Sequence, residues 1–282
     1  MDSKRIGLIS VHSSSLIFGG TALFSSWVSL PSSDITFWRS WVAALALFLL
    51  LRFRGIKTRL NSTRDTIAMV IAGILLGAHW ITYFHAMQVS GVAVGIIALF
   101  TYPMFTVFIE PLFKSQHPHW QDILCAGLVL LGVILLVPEF DTQNPVTQGI
   151  LWGLFSALLF ALRNVMQGHY LKAYRGETSM LYQAALAAMV CIPFLTEAPS
   201  NIHNHDWLLL LLLGCVFTAL PHSLFATSLR YLKAKSVSLI ACLQPVYGIA
   251  LAVMLLSEQL AWTTLLGGAL IVGTAAVETY RS

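Results

Sequence analysis

Long apolar runs, separated by short polar or Pro- and Gly-containing stretches, follow one another along the whole chain. A helix needs roughly 20 apolar residues to cross a bilayer, and most of the runs approach that length. We therefore predict ten membrane-spanning helices, joined by connections too short to fold by themselves. The predicted spans cover residues 7–29, 34–52, 65–88, 92–112, 120–137, 147–170, 179–195, 206–229, 236–256 and 262–279.

The composition agrees with this pattern and excludes several classes of protein. Of the 282 residues, 57% are hydrophobic and 10% are charged, whereas a soluble domain carries about 25% charged residues. The four cysteines lie singly in apolar runs, which predicts neither a disulfide framework nor a metal site. The chain has no GxxxxGK[ST], HExxH or GxSxG motif, so we expect no cofactor, no metal and no ATP-driven step.

Lysine and arginine fall in alternate connections. If ten spans start from a cytoplasmic N-terminus, fourteen of the sixteen basic residues lie on the inner side, which predicts that both termini are cytoplasmic. The net charge of +4 then reflects topology, and we expect no nucleic-acid partner. The inner residues are Lys4, Arg5, Arg52, Arg54, Lys57, Arg59, Arg64, Lys114, Lys172, Arg175, Arg230, Lys233, Lys235 and Arg281. The outer connections instead hold Asp34, Glu139, Asp141, Glu197, Asp206 and Glu258.

Residues recur at a spacing of about half the chain. Pro103 and Pro245 are related by an offset of 142 in residue number, and Tyr83 matches Phe225 at the same offset. We predict two repeats, residues 1–141 and 142–282, each with five spans. Because five is odd, the second repeat enters the membrane from the opposite side, which is typical of secondary transporters. A mid-span proline frees a backbone carbonyl, so the two prolines are the predicted hinges beside a central binding site.

Four segments carry a resemblance to a known family: FTYPMF around Pro103, LQPVYG around Pro245, LLSEQLAW around Glu258, and GGALIVG in the last span. They resemble the drug/metabolite transporter superfamily, and within it the EamA-type exporters, over essentially the whole chain. The resemblance implies an all-α integral membrane fold of ten transmembrane helices. It also implies export of amino acids or related small metabolites across a bacterial inner membrane. Glu258 matches the family's second-half glutamate, whereas Gln116 stands near the first-half position.

Two histidines are the first candidates for substrate contact. His79 lies about 15 residues into the third span, near the middle of the membrane, with Trp80 beside it and Tyr83 one turn later. His222 lies at a related depth in the eighth span, three residues before Phe225. We predict that both rings converge on one cavity, where they could stack on a substrate or titrate. The alternative is a neutral histidine bonded to helix backbone.

Two arginines lie inside predicted spans, where a charge is costly. Arg163 is near the middle of the sixth span, so its guanidinium either holds a substrate carboxylate or phosphate, or links helices statically. Arg39 lies about five residues inside the outer end of the second span. We predict that Arg39 pairs with an outer carboxylate as a gate or an anchor.

Polar side chains beside the two prolines complete the predicted lining. Thr101 and Tyr102 precede Pro103, while Gln244 and Tyr247 flank Pro245. They could line a site for a zwitterion, or re-satisfy the interrupted backbone. Further polar candidates on the first and sixth spans are Ser14, Ser156 and Asn164.

The leading hypothesis is thus a secondary transporter with a small-molecule substrate, embedded in the lipid bilayer and working by alternating access. Protons are the coupling ion if His79 or His222 titrates. The main alternative is uptake of an organic cation such as a quaternary amine, held in an aromatic cage. An intramembrane enzyme is a remote alternative, because the spans contain no central Asp or Glu.

Overall fold

The computed structural model describes residues 3–56, 58–114, 120–137, 141–232 and 240–281, and within these ranges it contains helices and no strand. One segment, Cys215–Ala219, is π-helical. The all-helical prediction is therefore confirmed for the described residues. The helices are α1 (Ser3–Thr21), α2 (Phe24–Trp27), α3 (Ser32–Phe53), α4 (Thr63–Ser90), α5 (Val92–Leu99), α6 (Tyr102–Lys114), α7 (Trp120–Leu136), α8 (Pro145–Tyr170), α9 (Gly176–Cys191), α10 (Asn204–Gly214), α11 (Leu220–Tyr231), α12 (Gln244–Leu256) and α13 (Trp262–Arg281).

Six segments of the described chain are long and apolar enough to cross a membrane, and they coincide with predicted spans one to four, six and eight. They are Lys4–Trp27, Ser32–Phe53, Thr63–Ser90, Val92–Phe113, Pro145–Tyr170 and Asn204–Phe225. Spans five, nine and ten fall on the shorter apolar helices Ile123–Leu136, Gln244–Leu256 and Trp262–Val277, and span seven falls on α9. The count of ten and the orientation stay predictions. Residues 236–239 of span nine lie outside the described ranges, as do Lys57, Gln116, Glu139, Lys233 and Lys235.

The prolines at the two predicted hinges begin helices instead of interrupting them. The fourth span breaks at residues 100–101, between α5 and α6, so that Pro103 lies in the first turn of α6. Pro245 lies in the first turn of α12. Proline fits the first turn because its missing N–H would be unpaired there in any case. The break beside Pro103 lies within the predicted fourth span, residues 92–112, and the role of both prolines as hinges stays a prediction.

The eighth span is irregular around a third proline. Pro221 has no N–H to offer the carbonyl of Phe217, four residues earlier, and the hydroxyl of Thr21 in α1 donates to that carbonyl at 3.1 Å. The hydroxyl of Thr218 donates to the carbonyl of Leu213 at 2.8 Å. Both bonds satisfy backbone groups that the bilayer could not, and the first ties α1 to this irregular segment.

Helix packing brings distant parts of the chain together. The most extensive contacts join α4 to α8 and to α9, α3 to α9, α7 to α13, and α1 to α11. At the contact between α1 and α12, a Cβ on Gly19 would lie only 2.9 Å from the backbone nitrogen of Gly248. Helices approach this closely only where small residues face each other, so a larger side chain at Gly19 would separate α1 from α12.

Carboxylates accept backbone N–H groups at one end of the bundle, which we call the carboxylate end (Asp34, Asp206 and Glu258). Asp34, fully buried at the start of α3, accepts from the N–H groups of residues 196–197 at 3.4 and 3.1 Å. Asp206, at the start of α10, accepts from the N–H of Ser29 at 3.2 Å. Both bonds join the first half of the chain to the second, and we call the end that they join closed in the described conformation.

Glu258 caps the start of α5 from the other half of the chain. Its carboxylate accepts from the N–H groups of Val92 at 2.6 Å and Ala93 at 3.0 Å. Gly91, with φ of 93°, leaves room for this carboxylate, because a Cβ there would collide with Glu258. The first N–H groups of a helix lack partners inside the helix and attract negative charge, so Glu258 stabilises α5 where it begins.

We expect Glu258→Ala to lower the free energy of unfolding by about 2 kcal/mol, because two N–H groups lose a charged acceptor. The measurement is chemical or thermal unfolding of the detergent-purified protein. Glu197→Ala is the matched control, because the Glu197 carboxylate accepts none of the described hydrogen bonds. Equal losses in the two variants would contradict the capping role.

The opposite end of α4 is held by tyrosines, and we call it the tyrosine end (Tyr174 and Tyr182). The Tyr174 hydroxyl donates to the carboxylate of Asp65 at 2.5 Å and accepts from the N–H of Asn61 at 2.7 Å. The Tyr182 hydroxyl donates to the carbonyl of Thr58 at 2.8 Å. These bonds attach the connection between α3 and α4, and the first turn of α4, to α9 and to the connection between α8 and α9.

Candidate functional site

His79 lies where α4 packs against α8. Its Nδ1 is 2.7 Å from the hydroxyl and 3.2 Å from the carbonyl of Ser156, and the same hydroxyl donates to the carbonyl of His79 at 2.9 Å. Because a carbonyl can only accept and the serine proton is already used, Nδ1 must carry the ring proton. The Nε2 atom of the neutral ring is then an acceptor. The sequence raised Ser156 as a minor candidate, and the structure makes it the partner of His79.

Aromatic rings surround His79. The Phe160 ring stacks on it at 4.6 Å and the Tyr83 ring at 5.9 Å, measured between ring centroids. Tyr102, at the start of α6, contacts the edge of Phe160 at 5.0 Å. We call these four residues the His79 cluster (His79, Tyr83, Tyr102 and Phe160). It places three predicted site residues together, between α4, α6 and α8.

His222 occupies the corresponding place between α1 and α11. Its Nδ1 lies 2.7 Å from the carbonyl of Thr218 in the same span, so this nitrogen also carries a proton. The ring contacts Phe18 at 4.7 Å and Trp80 at 6.4 Å. Since Trp80 follows His79 in α4, the two histidines lie on either side of one aromatic region. Their predicted convergence on one cavity stays a prediction.

Arg39 is buried, with 2% of its surface exposed, and its partners are not the predicted ones. Its guanidinium donates to the hydroxyl of Thr218 at 2.9 Å. Its Cζ lies 4.4 Å from the ring centroid of Trp80 and 5.0 Å from that of Phe84. The nearest carboxylate in sequence, Asp34, binds backbone N–H groups instead. The predicted carboxylate partner was therefore wrong, and Arg39 contacts neutral groups among the described residues. Its gating role stays a prediction.

Arg163 is half-buried in α8 and is held by side-chain amides. Its Nε donates to the amide oxygen of Gln183 in α9 at 2.7 Å, and an Nη donates to that of Asn164 at 2.9 Å. Gln183 in turn donates to Gln167 at 2.8 Å and to Ser179 at 2.7 Å. These bonds link α8 to α9, and all of the bonding partners are neutral. Within the described residues the guanidinium has no carboxylate partner.

The remaining predicted residues lie apart from the His79 cluster in the described contacts. The Thr101 hydroxyl is fully buried and donates to the carbonyl of Ala98 at 2.7 Å, so it satisfies local backbone. Gln244 and Tyr247 lie at the start of α12, against Gly19 of α1. Phe225 shares α11 with His222. The described ring and hydrogen-bond contacts do not join these last three side chains to the cluster.

Sequence reasoning missed Phe160 and Thr218. A signal for Phe160 was present, because Ser156, Phe160 and Arg163 follow the spacing of one helical face. Thr218 also precedes His222 by one turn. The identity of the facing helix was the missing information, since hydropathy places a residue in depth but does not say which neighbour it meets.

The interior is also notable for its charge. Arg39 and Arg163 are charged side chains inside the spanning helices α3 and α8. Neither guanidinium lies within ion-pair distance of an acidic side chain in the part of the chain that the structure describes. The arrangement therefore combines aromatic rings, two imidazoles and uncompensated positive charge, and it can offer stacking, hydrogen bonds and attraction for an anionic group.

Comparison with known proteins finds relatives that are named as transporters. The chain is 27% identical over 256 residues to "Uncharacterized transporter YxxF" of Bacillus subtilis, covering 88% of this chain and 81% of that protein. It is 24% identical over 191 residues to "Pseudopaline exporter CntI" of Pseudomonas aeruginosa, covering 67% and 65%. It is 22% identical over 186 residues to the "S-adenosylmethionine uptake transporter" of Rickettsia prowazekii, covering 66% and 62%.

A solved crystal structure shares the fold, with a TM-score of 0.68 at 19% identity, covering 99% of this chain and 98% of that chain. The EamA-like transporter family matches the chain twice, over residues 5–137 and 147–279. Together the two matches span nearly the whole sequence. The chain belongs to the EamA-like transporter family, and it is a multi-pass membrane protein that transports small molecules.

Proposed function

We propose that this protein exports amino acids or related small metabolites across a bacterial inner membrane by alternating access. The two moving parts are inverted five-helix repeats, residues 1–141 and 142–282, with both termini cytoplasmic and the carboxylate end outside. The observation that carries the proposal is the His79 cluster. It holds hydrogen-bonding and stacking groups in the interior, between helices from both repeats.

Helix packing supports the inverted repeats. Adding the offset of 142 to α4 gives the span formed by α10 and α11, and subtracting it from α8 gives α1. α4 packs against α8, and α1 packs against α11. The same offset converts α3 into α9 and α7 into α13, and each of these helices packs against its own equivalent. Such exchange of partners is what a twofold axis in the membrane plane produces. The two family matches, which begin at residues 5 and 147, are related by this offset as well.

The charge of the interior favours a substrate with a carboxylate over a cation. We propose that Arg163 binds this carboxylate, since an amide-held guanidinium keeps its full charge and its remaining donors. A quaternary amine would instead need a free aromatic face, and Arg39 already occupies the face of Trp80. We therefore expect organic cations to be excluded. Direction differs among relatives, because one is named an exporter and another an uptake transporter.

Proton coupling through His79 or His222 stays a prediction. In both rings Nδ1 donates to a backbone carbonyl, so an added proton would occupy Nε2. Sequestration of these rings between helices means that a proton could reach Nε2 only when the site opens to one side. Facilitated diffusion needs no such step.

Transport by purified protein in proteoliposomes tests the proposed function. We expect efflux of labelled amino acids from loaded vesicles, little efflux of quaternary amines, and neither from protein-free vesicles. Arg163→Gln should raise the KM about fivefold with little change in maximal rate, because it weakens one charge-assisted bond to substrate. Arg175→Gln, the same change at an exposed position, is the matched control. Absence of efflux across a broad amino-acid panel would overturn the amino-acid substrate.

A further inference from the structure

The stretch SSLIF, residues 14–18, recurs as SALLF, residues 156–160, at an offset of 142. This is the offset that relates the two proposed repeats. Ser14 and Phe18 in α1 are thus the equivalents of Ser156 and Phe160 in α8. The sixth span contacts the third, and the first contacts the eighth, so each stretch faces a helix of the other repeat.

Each phenylalanine of these stretches contacts one histidine. Phe160 lies 4.6 Å from His79, and Phe18 lies 4.7 Å from His222, between ring centroids. His222 is one residue beyond the strict offset from His79. Tyr83 and Phe225, slightly further along the same two spans, keep the strict offset, so the two histidines are related by their ring contacts and not by exact register.

The hydrogen bonds of the two histidine and serine pairs differ, although their ring contacts match. His79 and Ser156 bond each other across the helix contact, through Nδ1 at 2.7 Å and through the serine hydroxyl at 2.9 Å. His222 instead donates within its own span, and Ser14 donates to the carbonyl of Val11 at 2.9 Å. One pair is therefore joined and its equivalent is separate.

The joined pair is the one nearer the closed carboxylate end. His79 lies about three helical turns before the C-terminal end of α4, which is the end that leads to Gly91 and the Glu258 contact. His222 lies about two and a half turns before the C-terminal end of α11, which points to the opposite side of the membrane in the proposed topology. A bond between His222 and Ser14 would therefore hold α1 against α11 in the other half of the membrane.

We propose that the two pairs alternate during the transport cycle. His79–Ser156 joins α4 to α8 when the carboxylate end is closed, and His222–Ser14 joins α11 to α1 when the opposite end is closed. In each state the histidine and the serine of the separate pair each donate a hydrogen bond to a backbone carbonyl of their own span, as His222 and Ser14 do here. The number of hydrogen bonds is thus conserved, which keeps the two states close in free energy. This inference rests on the proposed alternating access, and it makes Ser14 and Ser156 positioning residues.

The test measures the conformational equilibrium without substrate. Spin labels are attached at Val89→Cys and Gln259→Cys, on the two sides of the Glu258 contact with α5. The distribution of distances between the labels is recorded by pulsed electron–electron double resonance. The parent lacks the native cysteines Cys125, Cys191, Cys215 and Cys242. The long-distance population reports an open carboxylate end, and the short-distance population reports the closed one.

Equivalent substitutions should shift this equilibrium in opposite directions. We expect Ser156→Ala to raise the ratio of open to closed roughly two- to tenfold, and Ser14→Ala to lower it by a similar factor. The serine hydroxyl makes two hydrogen bonds in a joined pair and one in a separate pair, so the joined state loses one bond more. The double variant should return near the parent ratio. His79→Ala should shift the ratio as Ser156→Ala does, and His222→Ala as Ser14→Ala does, which provides a second variant for each pair.

Shifts in the same direction, or none, would overturn the proposal, because a purely structural serine has no reason to act with opposite sign at equivalent positions. The result is separable from the transport assay. Opposite shifts without amino-acid efflux would leave the alternating pairs standing and overturn the proposed substrate. Efflux without opposite shifts would support the proposed substrate and overturn the alternating pairs.

Discussion

The Arg39→Met variant is expected to unfold at a higher temperature than the wild-type protein and to transport at least about tenfold more slowly. The Nε of Arg39 is buried without a hydrogen-bond partner among the described residues. Replacing a poorly compensated buried charge by an apolar side chain of similar length often stabilises a protein, here by about 1 kcal/mol. The guanidinium would then be present for function and not for the fold.

The expected loss of transport follows from the contacts of Arg39. Its bond to Thr218 joins α3 to the irregular segment that leads to His222, while its charge covers the rings of Trp80 and Phe84. As the proposed gate, it would release Thr218 when the carboxylate end opens. The measurements are thermal unfolding and initial efflux rates on the same preparations.

An exposed arginine provides the control for this substitution. Arg64 also lies over an aromatic ring, with its Cζ 4.9 Å from the centroid of Tyr170. Arg64→Met should change neither stability nor transport substantially. Arg39→Lys should fall between wild type and Arg39→Met, since it keeps the charge without the planar guanidinium. A lower unfolding temperature with normal transport in Arg39→Met would show that Arg39 is structural.

The Asp34→Ala variant is expected to lose about 3 kcal/mol of stability, which is the largest loss predicted for a single side chain here. Asp34 is fully buried and accepts from the N–H of Glu197 at 3.1 Å and the hydroxyls of Thr196 at 3.0 Å and Ser33 at 3.1 Å. Its removal leaves these donors without their charged acceptor. Unfolding by heat or denaturant in detergent measures the loss.

Two further variants define the expected effect of Asp34. Asp34→Asn keeps one acceptor oxygen and should lose roughly half as much stability. Asp141→Ala removes an exposed carboxylate that accepts a single local N–H, that of Gln143 at 2.9 Å, and should cost little. If Asp34→Ala were as stable as Asp141→Ala, the closed carboxylate end could not depend on this residue.

The His79 cluster shows how much of the candidate site could be predicted from the sequence. Depth in the membrane follows from counting residues along an apolar run, and it placed His79 and His222 near the middle of their spans. The partner Ser156 could not be chosen in the same way, because many spans carry serines at similar depth. Only the packing of α4 on α8 selects it.

Arg39 shows where sequence reasoning went wrong, and Pro103 shows what it left open. An arginine near a span end was expected to meet a nearby carboxylate, but Asp34 is turned to backbone N–H groups and Arg39 to aromatic rings. Pro103 was expected to interrupt its span, and only the structure shows that the break lies at residues 100–101, just before it. In both cases several local arrangements satisfy the same residues, and tertiary contacts decide among them.

By itself, the sequence determined that the chain is helical, apolar and embedded in a membrane, since these properties depend on the cost of transferring each residue from water to lipid. Its motifs also identified the family. The tertiary structure alone decided which helices face each other, which hydrogen bonds join Ser156 to His79, and which carboxylates close one end. Those choices depend on helix rotation and on contacts between residues far apart in the chain, which no local pattern records.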